Sequence, residues 1–169
     1  MLIKSVLGKK PLWGSDCFFA DTATIIGDVV VGDFCSIWFN TVIRGDVNKI
    51  RIGNNVNIQD GSVVHATYNK TSTSIGNNVS IGHNAIIHGC TIDDFVLVGM
   101  GSIVMDHSKI SSNTIIAAGS VITENTLVEP NSIYGGVPAK KIKNIDQSES
   151  RKEIERIAKN YLIYSNWYK

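Results

Sequence analysis

Residues 92–128 read IDDFVLVGMGSIVMDHSKISSNTIIAAGSVITENTLV, and every sixth position holds a branched apolar residue: Ile92, Val98, Val104, Ile110, Ile116, Ile122 and Val128. The pattern extends towards the N-terminus. One step of five leads back to Ile87, Ile81 and Ile75. Across a longer insertion it resumes at Val64, Ile58 and Ile52, and across a three-residue insertion at Ile43, Ile37, Val31 and Ile25. Neither a 3.6-residue helical period nor simple alternation produces this spacing.

A period of six means one short flat strand followed by one corner. Three such strands close a triangular coil of about 18 residues, which buries its branched residues inside a prism and pairs its backbone with coils about 4.8 Å above and below. Gly and Asn supply the corners. The expected fold is therefore all-β, a parallel β-helix of hexapeptide repeats with about six coils. The composition agrees: the 169 residues include 24 Ile, 16 Val, 15 Gly and 15 Asn but only three Pro. The β-helix domain, with its N-terminal lead-in and exit loop, is expected over residues 1–146. Residues 147–169 are expected to form an α-helix packed on the prism. Ser150 and Glu153 read as its capping box, and Ile154, Ile157, Ala158, Tyr161 and Tyr164 as its apolar stripe.

Charge excludes some functions. Sixteen Lys and Arg against 15 Asp and Glu leave a net charge of +1, with no surplus of either sign for a nucleic acid. Lys140, Lys141 and Lys143 read as solvated charge. No apolar run approaches the ~20 residues that cross a bilayer, and the N-terminus lacks a secretory pattern. Cys17, Cys35 and Cys90 are an odd, widely spaced set that fits a reducing cytoplasm better than a disulfide framework.

The hexad register places the histidines. Arg44, His65 and His88 each directly follow a core residue of one face, so they form an outward column over three successive coils. Asp60 and His83 each stand two residues past a core position of another face, with Gln59 beside Asp60. The assignment requires both insertions to bulge from corners and leave the faces in phase. Stacked imidazoles about 4.8 Å apart suit one shared ion. His83 reaches an ion only in another chain, which predicts a homotrimer with a metal site shared across each interface. Three imidazoles leave a position open for water, as in catalytic zinc sites. His107 reads as a surface residue.

With these residues in place, the chain resembles the γ-class carbonic anhydrases, through IRGD at 43–46, NIQDGSVVHA at 57–66 and IGHNAIIHGC at 81–90. GGVPAK at 135–140 also matches but is shared with hexapeptide acyltransferases. The resemblance implies a left-handed winding and a homotrimer with Zn2+, or Fe2+ or Co2+, at each interface. His65 and His88 would come from one subunit and His83 from the next. It implies hydration of carbon dioxide to bicarbonate. Arg44 would lie near the metal with Asp46 and Asp60 as candidate carboxylate partners. Gln59 would bond the metal-bound hydroxide, Asn57 would hold Gln59, and Tyr161 would line the pocket. The segment ATYNKTSTS at 66–74 holds no Asp or Glu, and Val47 follows Asp46 where the active form of the family carries a glutamate. A proton-shuttling loop is thus missing, and weak or absent hydration is expected. Two other functions fit the prism: an acyltransferase using acyl-CoA, and a non-enzymatic trimeric scaffold stabilised by zinc.

Overall fold

The computed structural model describes residues 1–168; Lys169, the last residue of the expected helical segment, lies outside the described residues. Seven parallel strands stack on one face: Phe18–Phe19, Ser36–Ile37, Asn57–Ile58, Ser80–Ile81, Val96–Val98, Thr114–Ile116 and Ser132–Gly136. The prism thus has about seven turns, one more than the period alone suggests. Ala139–Asn144 folds back antiparallel on the last of these strands. The architecture is a left-handed parallel β-helix of hexapeptide repeats, closed at its C-terminal end by that reversal.

Every branched residue of the six-residue pattern is buried, none more than 5% exposed. They line one continuous core running the length of the prism. Each is worth about 1.5–3 kcal/mol in removed apolar surface. The corners follow a rule of their own, broken only after Ile25, Ile43, Val64 and Ile87. The residue three past a core position takes a left-handed backbone, as at Asn40, Asn55, Asn78, Asn84, Asn113 and Asn125, with φ between 54° and 60°. Asn tolerates this conformation because its amide can bond locally. A ladder ties one corner together: Asp33 Oδ1 accepts from Ser15 N–H, Asn54 Oδ1 from Asp33 N–H, Asn77 Oδ1 from Asn54 N–H, and Asp94 Oδ1 from Asn77 N–H, at 2.7–2.9 Å.

The three-residue insertion does not leave the sheet as a loop. Val42–Ile52 is one eleven-residue strand that turns the corner and pairs with Thr24–Val31, shifting register once, between Gly27 and Val29. The backbones approach so closely there that a Cβ on Gly45 would lie 2.6 Å from the Asp28 carbonyl oxygen. The glycine of Arg44-Gly45-Asp46 thus lets the coils meet while its neighbours project outward. The faces stay in phase below it, since Val42 and Ile43 pair with Val63 and Val64.

The helix spans Gln147–Asn166 and begins earlier than a Ser150–Glu153 capping box allows. Its cap is Asp146, whose carboxylate accepts from the Ser148 and Glu149 N–H groups. Ser150 is buried in the first turn and donates to the Gln147 carbonyl, while Glu153 pairs with Arg156. Ile154 is fully buried, and Tyr161 and Tyr164 join Phe18, Trp38 and Phe39 in an aromatic cluster. Arg151 lies 4.3 Å over the Phe95 ring and donates to Asn113, so the helix runs back up the prism from its C-terminal end. Among the described residues no helix is long and apolar enough to cross a membrane.

Candidate metal centre

Val63–His65 and Ile86–His88 are neighbouring parallel strands, and their register pairs His65 directly with His88. Arg44 stands on the same column one coil earlier, because Ile43 pairs with Val64. His65 Nδ1 and His88 Nε2 face each other at 3.1 Å. Two nitrogens bound tetrahedrally to one zinc, each about 2.0–2.1 Å from it, stand about 3.3 Å apart, so the observed gap fits a shared transition metal.

The remaining ring nitrogens are occupied. His65 Nε2 is 3.0 Å from Asp46 Oδ1, and His88 Nδ1 is 2.5 Å from Asp106 Oδ1. A carboxylate fixes the N–H on the nitrogen it touches, which leaves the converging nitrogen bare to act as a ligand. Each carboxylate is itself held. Asp46 Oδ2 accepts from Arg44 Nη1 at 2.6 Å, and Asp106 Oδ2 accepts from the Thr67 hydroxyl at 2.5 Å. Burial raises the Asp46 carboxyl, but hydrogen bonds from Arg44 and His65 outweigh it and hold the group below the ordinary carboxylate range. Asp106 follows the same logic: burial raises it, and Thr67 and His88 hold it lower. Burial, together with the nearby Arg44 charge, lowers His65 despite Asp46, favouring the neutral ring that a metal requires.

His83 lies on a different face, at the corner past Ser80–Ile81. Its Nδ1 is 2.9 Å from Asp60 Oδ2, and its Nε2 is 3.3 Å from the Tyr161 hydroxyl. Asp60 therefore serves His83, and Arg44 bonds Asp46 within its own chain. Burial, then the Asp60 charge, pushes the Tyr161 phenol up to about 12, so it stays a neutral donor. Gln59 is buried beside this corner; its Nε2 donates to Asn57 Oδ1 at 2.9 Å, and Asn57 Nδ2 donates to Ser80 Oγ at 2.7 Å. Among the described residues of one chain, no group of three or more His, Cys, Asp and Glu side chains is arranged to hold a metal ion. The structure brings together Arg44, Asp46, His65 and His88 on one face, and Asn57, Gln59, Asp60, His83 and Tyr161 on another.

Asp106 and Thr67 are additions to the residues singled out from the sequence. Asp106 stands 18 residues after His88, but the step of five shortens this coil: Ile87 pairs with Val104, so Met105 is in register with His88 and Asp106 lies one residue past the column. Thr67 lies in the 66–72 excursion and carried no periodic signal. Next to His88 lies an open hollow of about 360 Å3, lined by Ile86, Ile103 and Met105 on its apolar side and by Thr67, Asp106 and Glu124. His107 is exposed and occupies a left-handed corner at φ 60°.

No family model matches the chain. Individual proteins do. A carbonic anhydrase of Geobacillus kaustophilus is 42% identical over 162 residues, covering 96% of this chain and 88% of that protein. The mitochondrial γ carbonic anhydrase 2 of Arabidopsis thaliana is 41% identical over 95% of this chain, which spans 59% of its length. The crystal structure of a hexapeptide transferase family protein from Anaplasma phagocytophilum superposes with a TM-score of 0.93 at 40% identity, over 99% of this chain and 98% of that one. Identity at this level over nearly the whole chain, on a prism that stacks two carboxylate-anchored histidines, leads to one assignment: the chain belongs to the γ-class carbonic anhydrase family.

Proposed function

We propose that this protein is a zinc-dependent, carbonic anhydrase-like lyase that hydrates carbon dioxide to bicarbonate slowly, as a homotrimer. The observation that carries the reading is the anchoring of all three histidines. Asp46, Asp106 and Asp60 each hold one nitrogen of His65, His88 and His83; the other nitrogens of His65 and His88 converge, and that of His83 faces the Tyr161 hydroxyl, which a metal would displace. His65 and His88 of one protomer and His83 of the next would hold the ion, zinc by preference and iron or cobalt as substitutes. Such an ion, when bound, lowers the pKa of a coordinated water towards ~7 and so supplies hydroxide at neutral pH.

The chain's own residues do the rest. Arg44, oriented by Asp46, places a fixed positive charge near the ligand column, where it stabilises negative charge as bicarbonate forms. Gln59, with one amide hydrogen committed to Asn57, keeps a second to donate. The Tyr161 hydroxyl orients His83 and narrows the approach. The apolar wall beside His88 gives carbon dioxide a water-poor path. With no Asp or Glu in residues 66–74, proton removal falls to buffer, and that makes turnover slow. The three thiols suit a reducing compartment such as the cytoplasm.

Metal content and stopped-flow hydration on one preparation test this proposal. One transition metal per chain is expected, with a slow rate that rises with buffer concentration and disappears in His88→Ala. Equal rates for wild type and His88→Ala would end the anhydrase reading. The 40% identical hexapeptide transferase relative favours a second reading, acyl transfer from CoA. Turnover of acetyl-CoA by the same preparation would select it.

A further inference from the structure

Away from the histidine columns, the prism holds one pair of nucleophilic side chains in register. Phe18–Phe19 pairs with Ser36–Ile37, Phe18 opposite Ser36, so Cys17 and Cys35 just before them are successive rungs of one column. Further along the prism the same column is filled by Val56, Val79 and Val96, all buried. Packing alone is thus satisfied by valine, and only the two coils at the N-terminal end carry thiols.

Their exposure differs. Cys35 is fully buried, whereas Cys17 is half-buried and lines a hollow of about 280 Å3 with Phe18, Phe19, Asp21, Phe39 and Tyr168. Cys17 is thus the more accessible residue of the two. Each thiol donates to a backbone carbonyl at 3.1 Å, Cys17 to Gly32 and Cys35 to Gly53, so both aim the same way along the corner. The Cys35 thiol beside it draws the Cys17 thiol down to about 7, against burial and the charges of Asp33 and Asp16. Contact with Cys17, then burial, pushes Cys35 up, leaving Cys17 as the thiolate of the pair. Adjacent strands run about 4.8 Å apart, inside the roughly 4.4–6.8 Å Cα separations that disulfides span. Phe18–Phe19 is the end strand of its sheet, paired on one side only.

We propose that Cys17 and Cys35 form a hydroperoxide-reactive dithiol, Cys17 attacking and Cys35 resolving, that closes to a disulfide within the chain. The Cys17 thiolate attacks one peroxide oxygen. An S–O bond forms as the O–O bond breaks, and the departing oxygen takes a proton from solvent to leave as water or alcohol. The Cys35 sulfur then attacks the sulfenic sulfur. An S–S bond forms, the S–O bond breaks, and the hydroxide leaves as water with the Cys35 proton. One peroxide is reduced and two thiols are oxidised.

The test uses the full chain and hydrogen peroxide, followed by alkylation of free thiols and peptide mass mapping without reductant. The expected product joins the Cys17 and Cys35 peptides, is two hydrogens lighter, reverts with dithiothreitol and leaves Cys90 free. Cys35→Val removes both the resolving thiol and the neighbour that draws Cys17 down, so it should abolish the intrachain disulfide and slow oxidation of Cys17, while Cys17→Val should leave Cys35 unmodified. Should either variant fail to fold, wild-type alkylation rates decide without it. Iodoacetamide at neutral pH should modify Cys17 about tenfold or more faster than Cys90, whose thiol burial pushes up to about 12. Equal rates at Cys17 and Cys90, or disulfides only between chains, would overturn the proposal.

Discussion

An imidazole has two nitrogens, and a carboxylate on one decides what the other does. Asp106 exerts that control on His88 from the adjacent coil, and Thr67 holds Asp106 in place. Replacing Asp106 with Asn keeps the shape but removes the charge and frees the ring to take the other tautomer. Zinc affinity should fall about 10–100-fold, read by competition with a chromophoric chelator, with an unchanged far-UV spectrum. An unaltered affinity would reduce Asp106 to a packing residue. His65 and His88 were legible from the hexad count because their strands keep phase. Asp106 escaped because the count one coil further lands on Met105, one residue short of it, and a carboxylate beside a histidine carries no periodic signature. The partner of Arg44 within the chain was ambiguous for a related reason: both candidate carboxylates are near in sequence, and the corner at Gly45 brings Asp46 within reach inside the chain.

At the scale of elements, the strands follow from branched residues and the corners from Asn and Gly, so most of the prism was readable. Two elements were misread. Val42–Ile52 absorbs its extra residues by continuing around the corner, because Gly27 and Gly45 let two backbones meet without side chains between them. The helix start at 147 was read correctly but its cap was not, because Ser150 with Glu153 and Asp146 with Glu149 satisfy the same capping pattern, and only the side chains' neighbours separate them. The true cap makes a pH prediction. Hydrogen bonds from the Ser148 side chain and backbone, then from Glu149, hold the Asp146 carboxyl below its ordinary range. A group lowered on folding stabilises fully above its unfolded pKa and loses that contribution as pH falls through its folded value. Helical ellipticity should therefore weaken on acidification before the β signal does. Asp146→Asn, which still caps but cannot titrate, should remove that early loss. Superimposable acid profiles for the two proteins would refute the assignment.

At the scale of the whole molecule, the core is one column shared by all coils, so damage at one level is felt along it. Ile58→Ala removes a fully buried side chain from the middle of that column and should cost about 2–5 kcal/mol in urea unfolding. A cost below about 1 kcal/mol would mean the coils relax independently. The helix adds a constraint of its own. It leaves the closed end at Asp146, meets Asn113 and Phe95 through Arg151, and places Tyr161 on His83. A helical turn advances about 5.4 Å and a coil about 4.8 Å, so the two advance almost in step. The number of repeats and the length of the terminal segment are consequently coupled in evolution. A lineage that duplicated one coil between Phe95 and the C-terminal end would strand Tyr161 short of its histidine, unless it also gained roughly one helical turn.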